Sequence, residues 1–298
     1  MHIDDAVARF KTQLHADGRS PHTVSSYLRD LSTLRRWLAE ARLPVEVDAL
    51  TPDILGRFVT SPAVTERPDG QTKEPASIDK VKMSLKAFFT YLVKTGALAT
   101  SPARLLRARR ADRPLPEILT FDEKRRLLKA ASDARGDRAR RDHMILDLVL
   151  HTGIRLDSLV MLDIEDVRLA EKHLVVRRLK CGGETRKFLR VALRRHLEDY
   201  LRWRMALSVE CPALFLSNRD LRLSGRQVER LVAHWLAAAG IEKAITPHGL
   251  RHSFATQLYE RTRDLLAVQR ALDHRHVSTT QVYAQVSDDA LEAGLERL

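Results

Sequence analysis

Apolar and polar positions along the chain alternate in stretches of helical period, separated by turn-forming residues. From Ser20, the run SPHTVSSYLRDLSTLRRWLAE brings Val24, Tyr27, Leu28, Leu31, Leu34 and Leu38 onto one side of a helix, behind a Ser or Thr cap. A second helix is expected from near Ser77, gathering Ile78, Val81, Leu85, Phe88, Phe89 and Leu92 and stopping near Gly96. Between them Thr51 to Val59 fits a short helix, whereas Thr60 to Pro75, rich in Pro, Gly and charge, reads as a loop. The opening third of the chain is therefore expected to be a small all-helical domain.

The segment SPARLLRARRADRPLPE follows, carrying Arg104, Arg107, Arg109, Arg110 and Arg113 and closing on Pro114 and Pro116. It reads as an interdomain linker, either a solvated basic connector or a strap that crosses a phosphate backbone. Thr120 and Glu123 then have the spacing of a capping box that opens the helix FDEKRRLLKAAS. Arg141 to His151 is an apolar-rich helix stopped by Gly153. Leu174 to Arg178 and Thr185 to Val191 flank Cys181, Gly182, Gly183 and Glu184, the pattern of two strands joined by a tight turn. Helical period returns from Leu193 through Leu207, in Arg226 to Ala239, Arg251 to Tyr259 and Asp264 to Leu272, and in a last stretch from Asp288. The expected fold class is mainly α with two domains: an all-helical one over 1–108, a basic linker at 109–116, and a mostly helical one with a small β-hairpin or sheet over 117–298.

Composition narrows the class. With 298 residues and 44% hydrophobic content, the chain can fill a sizeable core. Lys and Arg outnumber Asp and Glu by 51 to 39, a formal net charge of +12 that suits a polyanionic partner such as nucleic acid. The start MHIDDAVARF lacks a basic segment followed by an apolar run, and no apolar run reaches the roughly 18 residues of a membrane span. No membrane role is expected. Cys181 and Cys211 are the only cysteines, so the expectation is a cytoplasmic protein with reduced thiols and neither a disulfide framework nor a cysteine-rich zinc site.

Breaking a DNA phosphodiester without a metal demands three things: a nucleophile, positive donors on the nonbridging oxygens, and an acid for the leaving 5′ oxygen. Arg suits the second role, because its fork donates two parallel hydrogen bonds and stays charged. Arg155 follows a helix stop in HTGIRLDSL, where it is either a surface residue or a clamp aimed from an ordered base. His248 and Arg251 stand three residues apart in HGLRHSFAT, at a helix start that favours anions, or else as solvated basic residues of a capped helix. His274 and Tyr283 lie in LDHRHVSTTQVYAQV. A metal reading of His248, His252, His274 and His276 lacks the Glu of an HExxH pattern and any completing Cys or carboxylate, so no metal is expected.

In order and spacing, TGIRLDSL, the hairpin with Lys180, HGLRHSFATQL, LDHRHVSTTQVY and, more loosely, HTVSSYLRDLSTLRRWL resemble the tyrosine recombinases, or phage-integrase family, over almost the whole chain. Length, two-domain layout and STTQVYAQVS look closest to the Xer branch, whose members resolve chromosome or plasmid multimers. The resemblance implies that Arg155 and Arg251 clamp the phosphate and that Tyr283 is the nucleophile. His248 and His274 would hydrogen-bond the phosphate and help manage the tyrosine proton, and Lys180 would protonate the leaving 5′ oxygen. Lys187 is a rival for that last role, because RRLKCGGETRK lacks the usual Gly-Lys-Gly setting. Two positions depart from the family pattern: Ser158, beside Asp157, stands where Glu is usual, and Asp273 stands where Gly usually precedes the histidine.

The implied reaction needs neither metal nor ATP and no other cofactor. Tyr283 attacks phosphorus, stays joined to the 3′ phosphate, and is displaced by a 5′ hydroxyl of the partner duplex. The implied partners are double-stranded DNA with a specific recombination site, a tetramer of this chain on two duplexes, a second related recombinase and a septal DNA translocase. The N-terminal domain would be a core-binding clamp on the duplex, and the linker arginines Arg104, Arg107, Arg109 and Arg110 candidate DNA contacts. The stretch with Leu291, Leu295 and Leu298 would dock on a neighbouring protomer or pack on its own domain. Three alternatives remain open at this point: the integrase of a phage or other mobile element, a type IB topoisomerase, and a noncatalytic DNA-binding regulator.

Overall fold

The structure, a computed structural model, describes residues 1–108, 117–177 and 183–273. The chain divides into two compact units, Met1–Arg113 and Pro114–Leu298.

In the first unit the described residues form α1 (Ile3–Ala16), α2 (Pro21–Glu40), α3 (Pro52–Thr60), α4 (Pro62–Thr65) and α5 (Pro75–Lys94), then a 3-10 turn over Pro102–Leu105. The helix starts follow local chemistry. Ser20 Oγ accepts from the amide of Thr23 at 3.2 Å and Thr51 Oγ1 from that of Ile54 at 3.3 Å, each just ahead of a proline in the first turn. The periodic positions of α2 and α5 meet as a core, with Leu31, Leu34, Leu38, Leu85, Phe88 and Phe89 buried. Phe10 packs edge-on to Phe88 at 5.5 Å. Helix α1 was not among the expected elements: its buried face, Ile3, Ala6, Phe10 and Leu14, is sparse and interrupted by charge. The stretch expected as a loop holds the single turn α4 and a bridge between Glu66 and Thr72. Arg104 and Arg107 are exposed, whereas Arg109 and Arg110 lie outside the described residues.

The second unit builds on α7 (Asp137–Thr152), buried on most of its circumference between α6 (Phe121–Asp133), α9 (Val191–Ala206) and α11 (Pro247–Thr262). The Thr120–Glu123 capping box is made in both directions, at 3.2 and 2.8 Å, and starts α6. At the other end of α7, Gly153 takes the left-handed conformation (φ 59°) and donates to the carbonyl of Val149 at 2.9 Å. A side chain there would also collide, since a Cβ would lie 2.4 Å from the Phe254 ring. The short α8 (Leu156–Val160) follows at once.

Three antiparallel strands come next in the order β1-β2-β3: β1 (Val167–Arg168), β2 (His173–Arg177) and β3 (Glu184–Phe188). The hairpin was expected and the two-residue β1 was not, being too short to carry a period. Leu174 pairs with Lys187 and Val176 with Thr185, so these four share one face of the sheet. That face is the inner one, which turns Lys187 inward at 4% exposure and Phe188 outward at 80%. Helices α10 (Gly225–Ala238), α11 and α12 (Leu265–Leu272) complete the described unit. Lys180, Cys181 and Gly182, expected at the turn of the hairpin, and the last stretch from Asp288 lie outside the described residues.

Candidate active site

Three segments distant in sequence meet where α7 ends. Arg155 is the residue before α8, placed there by the glycine stop, and its side chain is exposed. Arg251 stands in the first turn and a half of α11, behind a Thr246 cap whose Oγ1 accepts from the amide of Gly249 at 3.3 Å. His248 is one turn earlier on the same helix. The third segment is the end of α12, where Asp273 takes the left-handed conformation at φ 54° and ψ 41°. A short polar side chain tolerates that geometry better than most.

The contacts converge on the C-terminal carbonyls of α12. Arg251 donates from Nη1 to the carbonyl of Gly153 and from Nη2 to that of Leu272, both at 2.5 Å. Arg155 donates from Nη2 to the carbonyl of Asp273 at 3.2 Å. Lys187 donates to the carbonyl of Ala271 and pairs with Asp273 Oδ2 at 2.5 Å, while Thr185 Oγ1 donates to Asp273 Oδ1 at 2.6 Å. Two guanidinium groups and one ammonium therefore sit at one helix C-terminus, where the backbone dipole favours positive charge. Among the described residues neither Asp157 nor Ser158 bonds Arg155; the support it finds comes from Asp273.

Titration behaviour reflects this crowding. Burial holds the Lys187 ammonium down at about 8; Asp273 opposes that fall, and Arg251 and Arg155 add to it. Burial, then Arg251 and Arg155, also lower His248, so its imidazole is neutral at pH 7 and available as both donor and acceptor. The His248 and His252 rings meet edge to face at 4.4 Å, and His252 is driven down to about 4 by burial, His248 and Arg251. Among the described residues no group of three or more His, Cys, Asp or Glu gathers as a metal would require. None of the described helices is long and apolar enough to cross a membrane.

The structure thus brings Arg155, His248 and Arg251 together. Lys180, His274 and Tyr283 lie outside the described residues. Thr185 is the neighbour that sequence reasoning missed. Its signal was its spacing of two from Lys187 on a short strand, which puts both on one face.

Comparisons with known proteins bear on the chain as a whole. The chain matches the phage integrase family over residues 117–290, and the phage integrase N-terminal SAM-like domain over residues 7–96. Tyrosine recombinase XerC of Thermodesulfovibrio yellowstonii is 32% identical over 277 residues, 90% of this chain and 87% of that one. Its namesake in Vibrio vulnificus is 34% identical over 282 residues, 93% of this chain and 85% of that one. Among solved structures, XerA recombinase is similar with 27% identity and a TM-score of 0.56, covering 99% of this chain and 98% of the other. XerH bound to palindromic difH substrate shares the fold, with a TM-score of 0.76 at 19% identity over 96% of this chain and 84% of that one. With both halves matched and a third of positions identical to XerC proteins over nearly the full length, the chain belongs to the phage integrase family and is a tyrosine recombinase of the Xer type.

Proposed function

We propose that the chain resolves chromosome or plasmid multimers by site-specific strand exchange, with Arg155 and Arg251 clamping the scissile phosphate and Tyr283 attacking it. The observation that carries this reading is that the two guanidinium groups bond adjacent carbonyls, those of Asp273 and Leu272. Two forks that close can take the two nonbridging oxygens of one phosphate and stabilise charge as it builds there. His248, one turn from Arg251 and neutral at pH 7, would donate to the same phosphate or exchange a proton with the phenol. His274 takes the companion position, and Lys180 protonates the 5′ oxygen as the P–O bond breaks.

In this reaction the Tyr283 oxygen forms a bond to phosphorus while the 5′ oxygen leaves with a proton, so the 3′ phosphate stays on the protein. A 5′ hydroxyl of the second duplex reverses the step, and the diester bond energy is conserved. The N-terminal unit clamps the duplex, with Arg104 and Arg107, both exposed, and Arg109 and Arg110 contacting phosphates. A lambda integrase tetramer has been solved on a Holliday junction. By likeness to it, four copies of this chain would assemble on two duplexes, with a second related recombinase and a septal DNA translocase as further partners. Multimer resolution, as against integration of a mobile element, is supported by the run of XerC relatives at 32–34% identity.

The test is a recombination site carrying a nick that traps the cleaved strand. A covalent adduct between a 3′ phosphate and Tyr283, absent from Tyr283→Phe, is the expected product. DNA binding without an adduct, or an adduct mapping to another residue, would overturn the reading.

A further inference from the structure

Three successive carbonyls, the last two of α12 and that of its cap, each receive a cation: Ala271 from Lys187, Leu272 from Arg251 and Asp273 from Arg155. A helix C-terminus attracts positive charge, but three cations within one turn also repel one another. A negative charge placed among them offsets that repulsion, and the Asp273 carboxylate, 9% exposed, supplies it. The resembled family usually has Gly at this position, which would give the same left-handed backbone without the charge.

Lys187 is unusual in the complementary way. It holds an inward position of β3 opposite Leu174, where an apolar residue would be expected, and a buried ammonium is costly unless it is paired. Each residue alone is a misfit. Together they neutralise one another, and Thr185 occupies the second carboxylate oxygen.

We propose that Lys187 and Asp273 form a paired positioning device: with Thr185 they fasten β3 to the last turn of α12, so that the Leu272 and Asp273 carbonyls orient Arg251 and Arg155 for the scissile phosphate. This rests on the functional reading given above and adds two positioning residues to it. It also separates Lys187 from the proton donor. Its ammonium is nearly inaccessible and donates to the Ala271 carbonyl and the Asp273 carboxylate, which leaves the leaving-group proton to Lys180. Burial holds the ammonium down at about 8, so it remains mostly charged at pH 7 and the ion pair is intact there.

The experiment measures single-turnover cleavage of a nicked site, together with DNA affinity, for the full chain and for Lys187→Met, Asp273→Gly and the double variant Lys187→Met/Asp273→Gly. Thermal unfolding confirms that each variant is folded. Each single variant should cleave about tenfold or more slowly at unchanged DNA affinity, and the double variant should recover to within a few-fold of the unaltered chain. Single variants that cleave at full rate, or losses that multiply in the double variant, would overturn the pairing. The same variants are then given a site with sulfur in place of the bridging 5′ oxygen, whose thiolate leaves without a proton. No selective gain for Lys187→Met is expected; a selective rescue would make Lys187 the acid and sink the proposal. A full chain that forms no adduct on any site overturns both this inference and the recombinase reading. An active chain whose single variants behave independently overturns this inference alone.

Discussion

The two units of this chain treat buried charge differently. In the N-terminal unit the core is apolar, and the main polar intrusion linking distant helices is Ser84 donating to Asp30 at 2.6 Å. The second unit buries Arg204, Arg251, Lys187, Asp147 and Asp166 at 5% exposure or less. Burying ions is weak evidence of added stability, since an apolar residue of equal size often does as well. What it gives is fixed geometry. On the functional reading proposed above, the first unit would need shape and an outer charge to clamp a polymer, and the second would have to hold cations where a single phosphorus atom is attacked.

Breaking the buried network should therefore cost most in the second unit. Asp147 accepts from His151 at 2.6 Å and from His196 at 2.7 Å, joining α7 to α9. Asp147→Ala would remove two hydrogen bonds to a carboxylate that is itself 1% exposed, and urea unfolding should register a loss of about 3–5 kcal/mol. Gly153→Ala comes next. Its left-handed backbone and the 2.4 Å approach to Phe254 predict about 2–4 kcal/mol of destabilisation and slower cleavage, because Gly153 and Arg155 share one turn.

Acid should also unfold the second unit by a route that can be assigned. Burial pushes Asp147 up, but hydrogen bonds from His151 and His196 outweigh it and hold the carboxyl at about 2. An acid depressed in the folded state stabilises above its unfolded value of 3.8, and that stability is lost as pH falls from 3.8 toward 2. The loss is about 2 kcal/mol. His143 and His151, lowered chiefly by burial, act earlier: the unfolded chain takes up their protons as pH drops below 6.5 and the folded chain resists. Hydrogen exchange across pH 7 to 3 should show protection fading in α7 and α9, and Asp147→Ala should remove the lower step. In the N-terminal unit Ser84→Ala should cost about 1–2 kcal/mol, as one buried hydrogen bond is lost. The smallest effect belongs to Phe188→Ser, within about 0.5 kcal/mol, because that ring faces outward despite its apolar character.

Much of the fold was legible where local chemistry and period agree. The Ser20 cap, the Thr120–Glu123 box and the Gly153 stop all lie where the sequence puts them, since each depends on residues within one turn. Helix α1 escaped notice because its buried side rests on four residues set among charges, and its cap is His2, whose Nδ1 accepts from the amide of Asp4. In ETRKF, hydrophobicity alone would turn Phe188 inward; pairing with β2 turns Lys187 inward instead. A one-residue change of register inverts a strand, and only tertiary partners decide it. The site was legible in the same uneven way. Arg155, His248 and Arg251 were marked by their likeness to a family, since no local rule brings side chains so far apart in sequence to one point. The link between Lys187 and Asp273 joins a strand to a helix end, so that in sequence each of its halves stands out only by itself.

The most direct test of the account uses Arg155→Ala, because the side chain is exposed and its loss leaves the core intact. Trapped cleavage on a nicked site should fall about a hundredfold or more, while DNA affinity changes only a few-fold, since many other basic groups hold the duplex. Equal losses in cleavage and binding would mean that Arg155 only grips the backbone, and would contradict the clamp on which the mechanism rests.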